Sequence, residues 1–109
     1  MMLNHPKVRF YPQAKIDLAE ILAHLREEAS AQLAQAFLDA VGSATGRLVD
    51  HPGLGVRRSY RSLLLQNVRM VSLPKFSRHL LFYRSQDGVI QVIRLIHGAR
   101  DVDALFSGS

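Results

Sequence analysis

The sequence predicts an α+β fold: an N-terminal strand, an antiparallel helical hairpin, a three-stranded antiparallel sheet and a short C-terminal helix. Three observations predict it. Apolar residues recur with a 3.6-residue period through two consecutive segments between residues 14 and 48. Three strand-like segments follow after residue 67. The dipeptide Asp87-Gly88 separates the last two of these, a strong hairpin signal. Helices then gather against one face of a sheet, as in other α+β plans.

The elements follow in order. Residues 7–11 read as a short strand stopped by Pro12. In the first helix Ala14, Leu18, Ile21, Leu22 and Leu25 form one apolar face, with Asp17, Glu20 and Glu27 outside it. Ser30 is placed to cap a second helix, whose stripe is Ala34, Phe37, Leu38, Val41, Thr45 and Leu48. Gly42 and Gly46 weaken that helix by up to ~1 kcal/mol each, and close packing between helices would explain them. His51-Pro52-Gly53 ends it, and the chain turns back near residues 28–30. Residues 53–67 read as mostly irregular chain. The strands are 68–73, 79–84 and 89–97, and residues 99–106 read as a final helix.

The last strand breaks the simple plan. Its even positions (Ile90, Val92, Arg94, Ile96) and its odd positions (Val89, Gln91, Ile93, Leu95, His97) are both largely apolar. A sheet with one wet face alternates cleanly. Two helices cover one face, so the second is expected to be covered by the tail, by another subunit or by a partner protein.

Composition narrows the classes. A chain of 109 residues predicts a single domain, 1–109, with a modest core. With no cysteine there is no disulfide framework and no thiolate metal site. No early apolar run reaches the length of a signal peptide or a membrane span, so a cytoplasmic protein is expected. The five histidines (His5, His24, His51, His79, His97) are dispersed, and no metal site or cofactor is expected. No phosphate loop or Ser/His/Asp triad stands out.

Charge is uneven. Residues 1–50 hold five Lys/Arg against six Asp/Glu, and residues 51–109 hold nine against three. Eight of those nine are Arg, suited to bidentate contact with carboxylate or phosphate. The candidate contact residues are therefore Arg57, Arg58, Arg61, Arg69, Arg84, Arg94 and Arg100. The acidic partner they imply is a nucleic acid or an acidic protein segment; a merely solvated basic surface is the alternative. Arg94, on an apolar strand, needs either an internal partner or a ligand. His97, Gly98 and Asp101 suit structural roles: a strand end, a turn and a helix cap.

These residues carry a family likeness. Ala14-Lys15-Ile16-Asp17-Leu18-Ala19-Glu20-Ile21 resembles the A-x-x-D-L-x-x-I opening of ParE-type toxins. Ala34 to Phe37 is similar to A-x-x-F of their second helix, and Leu48, Pro52 and Gly55 to L-x-x-x-P-x-x-G. Leu80-Leu81-Phe82-Tyr83-Arg84 resembles y-l-i-f-Y-R. Val92-Ile93-Arg94-Leu95-Ile96-His97-Gly98-Ala99-Arg100-Asp101 is very close to I-x-R-V-x-H-G-A-R-D. The chain thus resembles the ParE/RelE superfamily of type II toxin–antitoxin toxins, on the ParE side.

The resemblance implies a helical hairpin on a twisted antiparallel sheet. It also implies a cognate antitoxin (ParD-like or similar, with an acidic tail) in a hetero-oligomer, and roles in growth arrest and plasmid stability. ParE-like members poison DNA gyrase without hydrolytic chemistry of their own. RelE-like members cut mRNA on the ribosome, using Lys and Arg on the sheet with a late Tyr or His. Such cleavage needs a base, an acid and cations for the phosphorane. The late half here has one lysine, Lys75, and no Tyr after His97. The gyrase-directed reading is therefore preferred. The alternatives are a nuclease built from His97, Arg94, Arg84 and Arg69, and a toxin-like fold reduced to a binding module.

Overall fold

The computed structural model describes residues 5–58 and 67–98. The first strand, β1 (Val8–Phe10), runs into α1 (Pro12–Glu28) with no loop between them. Pro12 does more than stop the strand. It occupies the first turn of the helix, where its missing N–H costs nothing. The Tyr11 N–H is spent on the Val92 carbonyl at 2.9 Å, and the Tyr11 carbonyl starts the helical ladder by accepting from Lys15. α2 (Ala31–Asp50) begins where expected, with the Ser30 hydroxyl accepting from the Leu33 N–H at 3.0 Å. His51 closes it, donating its N–H to the Arg47 carbonyl.

Four more strands follow: β2 (Val56–Arg58), β3 (Val68–Leu73), β4 (Phe76–Gln86) and β5 (Val89–His97). They make one sheet in the order β1-β5-β4-β3-β2, in which β1 lies parallel to β5 and the other pairs are antiparallel. The sheet is therefore wider than three strands. The N-terminal strand joins it along β5, and part of the segment read as irregular forms β2. Three residues with little alternation leave no strand signal in the sequence; pairing with Met70, Arg69 and Val68 makes β2 a strand. The β4–β5 turn has Asp87 at φ 54 and Gly88 at φ 77, the left-handed pair that a two-residue hairpin requires. The proposed final helix at 99–106, including Arg100 and Asp101, lies outside the described residues, as does Arg61.

The main core lies between the helices and the sheet. Ala14, Phe37, Val41, Leu48, Leu81, Tyr83, Val92 and Leu95 are all buried in it. Gly46 departs from the packing explanation: a methyl group there would meet nothing within 4 Å, so helix contact does not require glycine at this position.

A bulge explains the two-sided apolar pattern of β5. Tyr83 pairs with Val92 but Phe82 pairs with Arg94, so Ile93 is an extra residue and the strand changes phase there. Before the bulge Ile90 and Val92 face the helices; after it Leu95 does. Ile93 and Ile96 join Val68, Leu80 and Phe82 in a second cluster, with Tyr11 and Met70 packed against it. These residues are already buried within the chain, Phe82 completely. Of the three covers expected for this face (the tail, another subunit or a partner protein), neither of the last two is needed to bury these residues. Part of its apolar count belonged to the other face, and the remainder is enclosed without a second chain.

Candidate functional site

β1 ends at Phe10, beside Val92, and leaves the outer edge of β5 without a strand partner from there on. α1 supplies the substitute. The Asp17 carboxylate accepts from the Leu95 N–H (3.0 Å), from Arg94 Nε (2.8 Å) and Nη2 (3.1 Å), and from Gln13 Nε2 (3.3 Å). Asp17 was placed outside the apolar stripe of α1, yet it is buried. The reason is that a strand-edge N–H and a guanidinium can both be satisfied by one carboxylate. Arg94 is thus held inside the molecule, with 20% of its side chain exposed.

A second polar unit ties the chain after α2 to the sheet. The Tyr83 hydroxyl donates to the Pro52 carbonyl (2.7 Å) and accepts from the Gly55 N–H (2.9 Å). Burial pushes its pKa up, against the opposing pull of the Gly55 N–H and the Arg69 charge, so the phenol keeps its proton as the donor role requires. Arg69 donates to the Gly55 carbonyl at 2.9 Å and more weakly to that of Gly53 at 3.4 Å. A Cβ at Gly55 would lie 2.8 Å from the Tyr83 ring and 2.9 Å from the Met70 carbonyl. The spacing of Pro52 and Gly55, and the tyrosine thirty-odd residues later, are two halves of this one contact.

The third assembly is open. Glu20, Ile21, His24 and Leu25 of α1 face His79 of β4 and His97 of β5 across a cleft of about 410 Å³. His79 and His97 sit directly opposite in the sheet, with ring centres 4.7 Å apart. His79 is wedged edge-on against Phe37 as well, at 4.8 Å, with Phe76 next to it. Burial, and then the neighbouring His97, lower its pKa from 6.5 to about 4. His97 itself is exposed at the end of β5. Gly98 follows at φ +79 and donates its N–H to the Arg78 carbonyl at 2.7 Å, which fixes the strand end. The sequence treats these histidines as dispersed, and the fold brings three of the five together. Among the described residues no group of three or more His, Cys, Asp or Glu side chains is placed to hold a metal ion.

The remaining nominated residues are scattered. Arg57 is exposed on β2 and donates to Asn67 Oδ1 at 2.9 Å. Arg58 lies on the same strand. Arg84 follows Tyr83 and, by strand alternation, takes the face of Leu80 and Phe82. The set His97, Arg94, Arg84 and Arg69 does not converge. Arg69 is bound to the 53–55 turn on β3, Arg94 to α1 beyond β5, and Arg84 lies across the sheet from His97. Asp17 and His79 were not nominated. Asp17 had a signal in the need of Arg94 for a partner; His79 had none until the β5 bulge was known.

A helical hairpin packed on a mixed five-stranded sheet, with its motif polar residues turned to internal bonds, defines a small α+β domain. The chain belongs to the ParE toxin family of the type II toxin–antitoxin system parDE, whose family model matches residues 8–102. A solved structure described as the chromosomal ParDE TA system from P. aeruginosa is similar in fold, with a TM-score of 0.67 at 20% identity. That match covers 85% of this chain and 96% of the other. No curated protein matches the chain. No helix among the described residues is long and apolar enough to cross a membrane.

Proposed function

We propose that this ParE toxin arrests growth by binding DNA gyrase and that a cognate antitoxin with an acidic segment neutralises it. The observation that carries this reading is the dispersal of the only nuclease set the sequence offers. Transesterification needs base, acid and cations within reach of one phosphate. Arg94 is clamped by Asp17 and Arg69 by the 53–55 carbonyls, so neither is offered to a phosphorane beside His97. A protein of this kind works by occupying a partner's surface. Its second half, with nine Lys/Arg against three Asp/Glu, suits an acidic antitoxin segment. Gyrase supercoiling of relaxed plasmid, titrated with the purified chain, tests the target. Inhibition that the His97→Ala variant retains supports the reading. Unimpaired supercoiling at saturating toxin, with mRNA cuts on primer extension after induction, overturns it in favour of the nuclease.

A further inference from the structure

Charge is divided between the two layers of the fold. Every one of the five strands carries arginine, and none carries Asp or Glu. Asp17, Glu20, Glu27, Glu28, Asp39 and Asp50 all stand on the two helices, with Lys15, Arg26 and Arg47 as the helical cations. Asp87, in the β4–β5 turn, is the one other carboxylate among the described residues. Three polar residues form a row on the sheet face turned away from the helices. Val8 and Phe10 pack into the main core, so Arg9 between them points to the opposite face. Gln91, between the buried Ile90 and Val92, does the same, as does Arg84 after Tyr83. The register lines them up: Arg9 pairs with Gln91, and Gln91 with Arg84. At the usual strand spacing the two arginine Cα atoms stand about 10 Å apart. Tyr11 donates its hydroxyl to Gln91 Oε1 at 3.1 Å, so the group that Gln91 offers is its amide nitrogen, a donor. Arg9 is exposed and Arg84 half-buried, and Lys7, exposed just before β1, adds a third cation at this corner.

We propose that Lys7, Arg9, Gln91 and Arg84 form a docking strip for the sugar-phosphate backbone of duplex DNA. A duplex presents one negative charge per about 1.7 Å of its axis, and cations set in a row gain by releasing its counterions. Arginine, lysine and side-chain amides are the donors that phosphate oxygens take, and a planar guanidinium can meet two such oxygens at once. An acidic protein segment fits the strip less well, because a protein partner needs apolar anchors as well as charge. The exposed large apolar residues among those described are Ile16 and Leu33 on the helices, Leu54 before β2 and Val56 on β2. None lies on the strip, and β2 is at the opposite edge of the sheet from β1. The strip is separate from the Asp17–Arg94 and Tyr83–Gly55 units. It holds whether or not gyrase is the target, because it is tested without that enzyme.

The test is fluorescence anisotropy of a labelled random-sequence duplex of about 20 base pairs, titrated with the tag-free full chain at several salt concentrations. Dissociation constants should fall at about 10⁻⁴–10⁻⁶ M, and log K should fall against log salt with a slope of about −3, as three neutralised phosphates give. Arg9→Gln, at an exposed position, should bring the slope to about −2 and weaken binding about five- to tenfold near 0.1 M salt. Lys7→Gln gives the same reading independently if Arg9→Gln disturbs the β1–β5 pair. Arg26→Gln removes an exposed cation from the helical layer and should leave the slope unchanged. Absence of salt-dependent binding overturns the proposal. So does an equal loss in Arg26→Gln and Arg9→Gln, which would make net charge alone the cause. Tighter binding of a glutamate-rich peptide or of a single-stranded RNA at the same salt overturns the assignment to duplex DNA.

Discussion

Two groups of polar side chains around the sheet are used in opposite ways. At β3 and the 52–55 turn, Arg69 and Tyr83 are bonded to main-chain groups, and at the β5 edge Arg94 is bonded to Asp17. These polar residues hold the chain together. About two turns further along α1 from Asp17, His24 lines an open cleft with His79 and His97, with no described hydrogen bond between them. The difference teaches that Arg69, Tyr83 and Arg94, the motif residues with the most chemical character, are structural, while α1, His79 and His97 line an open cleft. Substitution should therefore cost stability at the first kind of place and change the response to pH at the second.

The sharpest break in that comparison is Asp17→Ala. It strands the Leu95 N–H and the Arg94 guanidinium together, and removing one partner of a buried pair costs about 3–5 kcal/mol. The lower end applies because Arg94 keeps some contact with water. Urea unfolding measures it, and a loss below about 1 kcal/mol would mean the clamp is a surface pair instead. Next comes Gly55→Ala. The added methyl collides with the Tyr83 ring and with the main chain at Met70, and overpacking of this kind costs about 1–3 kcal/mol. The carbonyl cannot swing aside as a side chain would. A wild-type unfolding midpoint for Gly55→Ala would show that the turn yields freely and that Tyr83 does not hold it.

The cleft should reveal itself through pH. His79 has a folded pKa of about 4 against 6.5 when unfolded, so the unfolded chain binds more protons between these values. Stability is then fully present above about pH 6.5 and falls as the pH drops toward 4. The groups facing His79 are His97 on β5 and, across the cleft, Glu20 and His24 on α1. Solvent reaches the cleft and screens them, so the slope should be shallower than burial alone gives. His79→Phe should lose this part of the acid sensitivity. An unchanged acid limb in that variant would remove His79 as its source.

Much of this fold was legible because its signals are local. The hairpin turn needs φ above zero at two positions, and Asp87-Gly88 announces it. Ser30 announces a helix start through its own hydroxyl. The main loss came from one inserted residue. Counting outward from the turn puts Arg78 opposite His97; the extra Ile93 slips the register by one and puts His79 there instead. The same slip moves Leu95 to the helix side and makes β5 look equally apolar on both faces. A bulge has no composition of its own, so periodicity cannot see it. Asp17 was misplaced for a related reason. A carboxylate enters a core only when fixed donors await it, and those donors lie 77 and 78 residues away in the chain.

Gly46→Ala is the smallest change and separates two explanations for a glycine inside α2. Were the residue there to let another element approach, a methyl group would collide and destabilise the fold. The space around its Cβ position is empty to 4 Å, in contrast to Gly55, where three atoms lie within 2.9 Å. Its backbone is helical, so alanine fits without strain, and it restricts the unfolded chain more than glycine does. Gly46→Ala should therefore stabilise the protein by up to about 1 kcal/mol, read as a rise in the urea midpoint with an unchanged slope. A fall in the midpoint would mean that a bound partner or another part of the chain fills that space in solution.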